Sequence, residues 1–295
     1  MELVAQVAVN GLVAGGMYAL VAVGYSLVYG VMRLINFAHG DVAMAGAYAA
    51  FFLAGAATMS PGRLAAGLAA AAGCSALLGL AIERVVYRPL RPAPRLQALI
   101  AAIGVALALQ SAVLLTAGAS IRALALAGPP VWEIGPLLVT PAQVLILVAA
   151  MALLALVQWV IGRTPLGADI RAVADNLLLA HSLGIDIDRV MRWVFALGSA
   201  LAGVAGLLAA LEIQLVPTMG FSLGMKAFAA VVLGGIGSLP GAILGSFVIG
   251  LAEHFAAWFI SSVWKETVAY LVLILTLLLR PSGLLGPPAG EAFRT

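Results

Sequence analysis

The sequence predicts an all-α polytopic membrane protein with about eight to nine transmembrane segments, one or two of them broken or re-entrant. Three observations predict it. Apolar residues make up 64% of the 295 residues, charged residues only 9%, and the mean hydropathy is +1.14. Charge is also excluded from long stretches of the chain. Finally, two stretches rich in polar residues or in Gly and Pro interrupt an otherwise helical apolar pattern. A soluble domain is about 25% charged, and a water-facing surface cannot be assembled from so few charges. Intrinsic disorder needs the opposite composition.

A helix needs about 20 apolar residues to cross the hydrocarbon core. The charge-free runs that meet or approach this length are 3–32, 42–62, 64–82, 96–121, 134–162, 193–211 and 227–252. An eighth, 267–279, can extend back through Trp264 if Lys265 and Glu266 sit at the interface. The first run lacks a basic flank and continues to Met32, so it reads as a retained span and not as a cleavable signal. Residues 1–295 then form a single membrane domain, with one long cytoplasmic loop at about 163–192.

Arginine placement orients the spans. Arg84, Arg88, Arg91 and Arg95 form one cluster, and Arg163, Arg171, Arg189 and Arg192 form another. Both are expected in the cytoplasm, which leaves the N-terminus and residues 122–133 outside. Trp159 and Trp193 flank the second cluster at interfacial positions. If 227–252 crosses once, the C-terminus ends outside. If it dips in and returns, the C-terminus ends inside with Arg280 and Arg294, as the basic residues favour. The net charge of +3 is too small for a nucleic-acid surface, and Cys74 stands alone, which excludes an intramolecular disulfide and a cysteine metal site.

Spans in lipid pair through small residues. Gly11–Gly15, Gly198–Ala202–Gly206 and Gly237–Gly241–Gly245 supply such ridges. The first break in the pattern is Arg33 to Asp41, with Asn36, Phe37 and His39 between apolar spans. It reads either as a short cytoplasmic turn capped by Asp41 or as a backbone interruption lining a transport route. The second break runs from Gly234 to Gly241 and includes Gly235, Gly237, Ser238 and Pro240. Two apolar pieces around this hinge resemble a discontinuous or re-entrant helix. The two breaks occupy comparable positions in the two halves with little residue identity, which suggests an internal repeat.

No nucleotide-binding P-loop, H-E-x-x-H or G-x-S-x-G motif is present, and His39, His181 and His254 lie far apart. Intramembrane acids are few: Asp41, with Glu212 and Glu253 as further candidates. Carriers driven by ion gradients usually need such residues, so uphill transport would draw its energy from another subunit. A self-sufficient carrier or channel is the alternative, and no catalytic constellation supports an intramembrane enzyme.

The loop 163–192 contains a predicted amphipathic helix at about 170–184, started by Asp169 and ended by Gly184. Ile170, Val173, Leu177, Ala180 and Gly184 share one face; Arg171, Asp175 and Ser182 lie on another. Its polar face is nearly neutral, which favours docking into a partner over lying on lipid.

The run Ala172-Val173-Ala174-Asp175-Asn176, followed by Ala180 and Gly184-Ile185, resembles the coupling loop of ABC importer permeases, with Ala172 in place of the usual initial Glu. More narrowly, the chain resembles the branched-chain amino acid permease family, LivH-type subunit. The resemblance extends to Gly24–Gly30 leading into Ile35-Asn36-Phe37-Ala38-His39-Gly40-Asp41, to Glu83–Arg91, and to Leu233–Ala242. It implies a multi-pass protein of the bacterial inner membrane that translocates branched-chain or other amino acids, with urea or amides as alternative substrates of related permeases. The implied partners are a LivM-type second permease subunit, two cytoplasmic ATPases, an extracytoplasmic binding protein and membrane lipid. No nucleic acid, metal or cofactor is implied for this chain, and ATP is used by the partner subunits. The coupling residues would be Arg171, Ala174, Asp175, Ala180 and Gly184. The translocation path would draw on Asn36, Phe37, His39, Asp41, Gly234, Gly235, Gly237 and Ser238.

Overall fold

The computed structural model describes residues 2–54, 58–127, 131–135 and 137–286. In chain order its main helices are α1 (Glu2–Met32), α2 (His39–Ala54), α3 (Pro61–Leu90), α4 (Arg95–Ala117), α5 (Pro141–Arg163), α6 (Pro165–Asp175), α7 (Leu177–Ser182), α8 (Ile187–Glu212), α9 (Met219–Gly234), α10 (Leu239–Phe259) and α11 (Lys265–Leu279). Among the described residues seven helices are long and apolar enough to cross a membrane; α11 qualifies together with the short turn Ser262–Trp264 before it. The other two apolar helices of the bundle, α2 and α9, have 16 residues each. That is about 24 Å of helix, short of a hydrocarbon core of about 30 Å. Against the expected eight to nine segments, one or two of them broken or re-entrant, the described residues show seven full-length helices and two shorter ones.

Contacts between loops define two faces. One carries the start of α1, where Gln6 Nε2 donates to the Leu138 carbonyl at 2.9 Å, and the parallel strand pair Thr58–Met59 with Ala125–Leu126. The same face holds the antiparallel pairing of Arg122 with Leu215. The other face carries the arginines. There Arg33 donates to the Ala174 carbonyl at 3.2 Å, Arg88 and Arg91 pair with Asp188, and Arg91 pairs with buried Glu83. Helix α3 reaches this cluster through a π-helical stretch, Glu83–Tyr87, which carries Arg84 and Arg88 beyond the apolar run 64–82. The described chain also ends on this face, where the Leu284 and Leu285 amides each donate at 2.8 Å to the carbonyls of Leu233 and Gly234. The described chain thus ends on the side that the basic residues favour, although 227–252 makes no dip: it holds the end of α9, a turn and most of the full-length α10.

Helix directions then reveal an inverted repeat. Helix α1 runs toward the arginine face, α2 runs away from it, α3 toward it and α4 away. Helix α8 runs away, α9 toward, α10 away and α11 toward. The packing follows the same symmetry: α1 lies on α10 as α8 lies on α3, and α1 on α9 as α8 on α2. The axial pairs are α1 with α8 and α2 with α9. Small residues allow the close crossings, as the sequence leads one to expect. A Cβ placed on Gly11 or Gly15 would stand 2.9 or 2.8 Å from the Cα of Leu251 or Phe247 on α10. Gly198 faces Gly24, and Gly206 faces the Ala43 carbonyl. Gly237 is the exception, because it lies in a turn and not on a helical ridge.

Candidate functional site

Helix α1 ends abruptly. Arg33 adopts φ 55°, the one positive φ of a non-glycine residue among those described, and its amide closes on the Tyr29 carbonyl at 2.8 Å. The chain then turns back into the bundle as a non-helical segment, Leu34–Ala38, before α2 begins. Asn36, Ala38, His39 and Asp41 are all buried. The Asn36 Oδ1 accepts from the Ala38 amide and the Tyr87 hydroxyl, both at 3.2 Å, which holds the unwound backbone to α3.

The depth of this break follows from its neighbours. The His39 ring lies 4.8 Å from that of Tyr25, seven residues before the end of α1, hence about 10 Å inside it. The Asp41 carboxylate accepts from Gln110 Nε2 at 2.9 Å. Gln110 is fifteen residues into α4, about 22 Å from its arginine-face end. Of the two readings of residues 33–41, the structure supports an interruption at membrane depth, buried in protein as such backbone must be. Helix α9 begins at the same depth: its Gly220 abuts the Gly40 carbonyl and Asp41. Two half-helices of opposite direction thus meet by their N-termini in the middle of the bundle. Phe37 stands between them, its ring 5.6 Å from that of Phe228 on α9.

A cavity of about 350 Å³ opens beside this meeting point. Phe37, Ile103, Leu107, Phe221 and Met225 give it apolar walls, and Asp41, Gln110 and Tyr25 supply its polar side chains. No ion pair among the described residues includes Asp41. The other two acids singled out by the sequence are differently placed. Glu212 accepts from Gln143 Nε2 at 3.1 Å at the end of α8. Glu253 is buried, but Lys226 of α9 lies 3.1 Å away and the Tyr18 hydroxyl donates to it at 2.7 Å. This neutralised cluster ties α1, α9 and α10 together. Among the described residues no three His, Cys, Asp or Glu are grouped as a metal site would need.

The second break is a tight turn on the arginine face and not an interrupted span, which corrects the sequence reading. Gly235 and Gly237 take φ of 108° and 89°, and the Ser238 hydroxyl caps α10 by accepting from the Gly241 amide at 3.2 Å. Only glycine adopts such φ values freely. Gly234 packs on Gly241, and Gly235 on Gly286. Gly234 is fourteen residues from Gly220, about 21 Å along α9, so these residues stand apart from the Asp41 cavity. The interruption equivalent to Leu34–Ala38 is instead Ile213–Thr218, in the charge-free stretch 213–225 that is too short to draw notice as a span.

On the arginine face, residues 163–192 form two short helices where the sequence predicts one. Thr164 caps α6, not Asp169, by accepting from the Gly167 amide at 3.1 Å, and Asn176 breaks the rod and caps α7 by accepting from the Leu179 amide at 2.9 Å. Gly184 does end the second helix, with φ 82°. Ile170, Val173 and Ala180 are buried as expected. Leu177 is not, because the break at Asn176 resets the helical phase. Arg171 donates back to the Ile161 carbonyl, and Ala174 accepts from Arg33, so both residues fix α6 to the bundle. Asp175 and Leu178 line a surface groove with Arg33 and Arg95. Leu178, Leu179 and Leu183 are 77%, 57% and 72% exposed. That apolar patch is legible only once the break is known.

Comparison with known proteins gives a consistent picture. A family model described as "Branched-chain amino acid transport system / permease component" matches residues 7–277. The permease protein LivH of a high-affinity branched-chain amino acid transport system in Escherichia coli (strain K12) is 42% identical over 294 residues, covering 96% of this chain and 95% of that protein. The corresponding protein BraD of Pseudomonas aeruginosa is 40% identical over 294 residues, covering 96% of each. An autoinducer 2 import permease, LsrC of Klebsiella pneumoniae, is 39% identical over 137 residues, covering 44% of this chain and 40% of that protein. No solved structure matches the chain.

Proposed function

The chain belongs to the family of branched-chain amino acid transport permease components, and from that premise we propose that it is the membrane-spanning subunit of an ATP-driven importer of branched-chain or similar amino acids. It pairs with a second permease subunit of the same kind in the bacterial inner membrane. Cytoplasmic ATPases engage it from the arginine face, and an extracytoplasmic binding protein delivers substrate to the opposite face.

The observation that carries this reading is the exposure of Leu178 and Leu179 on α7 and of Leu183 directly after it. Three leucines turned to the surface on and just after a short helix of the arginine face are an interaction site in search of a partner. The helices beneath them are anchored at Arg33 and Arg171, so a push on the patch reaches α1 and α5 directly. Helix α1 ends at Arg33, the same residue from which the chain turns back toward Asp41. A displacement at the arginine face is therefore transmitted to the half-helix meeting point through one covalent segment, Leu34–Ala38. In this account Phe37 and Asp41 face the route, Asn36 and His39 hold the unwound backbone, and the Gly234–Ser238 turn closes the inner end of α9.

Membrane vesicles bearing the permease pair and its ATPases test the proposal. Leu178→Glu and Leu183→Glu should abolish ATP-driven uptake of leucine and lower recovery of the ATPases with the permease, without loss of membrane insertion. Normal uptake by both variants would remove the coupling role. Uptake driven by an ion gradient in the absence of ATP would favour a self-sufficient carrier.

A further inference from the structure

We infer that Asp41 receives the α-ammonium group of the amino acid in transit, and that the apolar walls of the adjoining cavity receive its side chain. The inference rests on the permease reading above and assigns that site its chemistry. Charges at membrane depth are costly and are kept only when they are paired or used. Among the described residues the bundle interior holds two such carboxylates. Glu253 has its countercharge in Lys226 at 3.1 Å and accepts from the Tyr18 hydroxyl at 2.7 Å. Asp41 is 1% exposed and has one side-chain donor, the neutral amide of Gln110 at 2.9 Å. Among the described residues no cation pairs with it.

The cavity edge therefore offers a carboxylate whose countercharge must come from elsewhere. An inorganic cation needs about six oxygen ligands, and three polar side chains, Asp41, Gln110 and Tyr25, line the cavity. A primary ammonium suits the place better. It supplies the missing charge and donates to the carboxylate, leaving the Gln110 carbonyl oxygen free to accept a second bond. At about 350 Å³ the cavity lies at the small end of small-molecule sites. Phe37, Leu107 and Met225 present it with apolar surface fit for an aliphatic side chain. A substrate carboxylate, by contrast, would be repelled from Asp41.

The test uses the complete transporter in proteoliposomes with substrate-loaded binding protein, comparing leucine moved per ATP hydrolysed in wild type, Asp41→Asn and Asp41→Glu. The expected result is a fall in leucine per ATP of about ten- to a hundredfold in Asp41→Asn, the loss expected for one charge-assisted hydrogen bond. The melting temperature of the complex should be retained. Asp41→Glu should recover part of the transport. Unchanged leucine per ATP in Asp41→Asn overturns the inference. So does a parallel loss of melting temperature, which would mark Asp41 as the partner of a cation on the second permease subunit. A wild type that moves no leucine at all overturns the permease reading itself, a distinguishable failure that carries the inference with it.

Discussion

Gly40 and Gly220 touch backbone to backbone at the point where two half-helices meet: a Cβ placed on Gly220 would stand 2.6 Å from the Gly40 carbonyl oxygen and 2.8 Å from the Asp41 Cα. Neither neighbour is the end of a movable side chain, so the contact admits no methyl group without displacing α2 from α9.

Gly220→Ala is therefore expected to destabilise the permease by about 1–3 kcal/mol, the usual cost of overpacking, and to lower uptake. Gly62→Ala serves as the control, because nothing lies within 4 Å of a Cβ there. Thermal unfolding of the purified complex should separate the two, with a lowered melting temperature for Gly220→Ala only.

The cluster of Lys226, Glu253 and Tyr18 makes a second prediction. Removing one partner of a buried ion pair strands the other, at a cost of about 3–5 kcal/mol, whereas replacing both by apolar residues is often neutral. Lys226→Met and Glu253→Leu alone should each lower the melting temperature sharply, and the double variant should regain most of the loss. Additive losses in the double variant would contradict the pairing.

Gly184 has free space around its Cα but a φ of 82°. The cost of a side chain there is purely conformational, about 1–2 kcal/mol for alanine. Gly184→Ala should reduce ATP-driven uptake more than Gly184→Asn, since asparagine tolerates the left-handed region. Equal uptake in the two variants would mean that the end of α7 does not set the coupling geometry.

Arg171 and Asp175 lie on the same short helix but act differently. Arg171 is turned inward to the Ile161 carbonyl, while Asp175 lines the surface groove. Arg171→Glu should loosen α6 and expose it to proteolysis. Asp175→Lys should leave the protease pattern intact and impair only ATP-driven uptake.

These expectations depend on features of unequal legibility. The full spans follow from charge-free runs because a lone charge cannot rest in lipid, and 3–32 matches Glu2–Met32 almost residue for residue. The same rule misled in the C-terminal third. Lys226 and Glu253 bound the run 227–252 as though both stood at the membrane surface, yet they bond each other across the α9–α10 hairpin. A charge paired within the bundle is invisible to a count of charges along the chain. The turn at Gly235–Ser238 divides that run in two, and half of α9 lies upstream of Lys226, where no long apolar stretch announces it. The break at Arg33–Asp41 was legible as a break, but its depth depends on Tyr25 and Gln110, which lie on other helices. In the loop 163–192, Asn176 reads as one more helical residue until its side chain is seen capping α7.

The central claim is that this chain moves no solute uphill by itself and is driven through residues 163–192. The most direct measurement is leucine accumulation in proteoliposomes that hold the permease pair, with ATP on the arginine face and loaded binding protein on the other, with and without the ATPases. The account predicts accumulation only when the ATPases and ATP are both present. Accumulation against a gradient in their absence would contradict it.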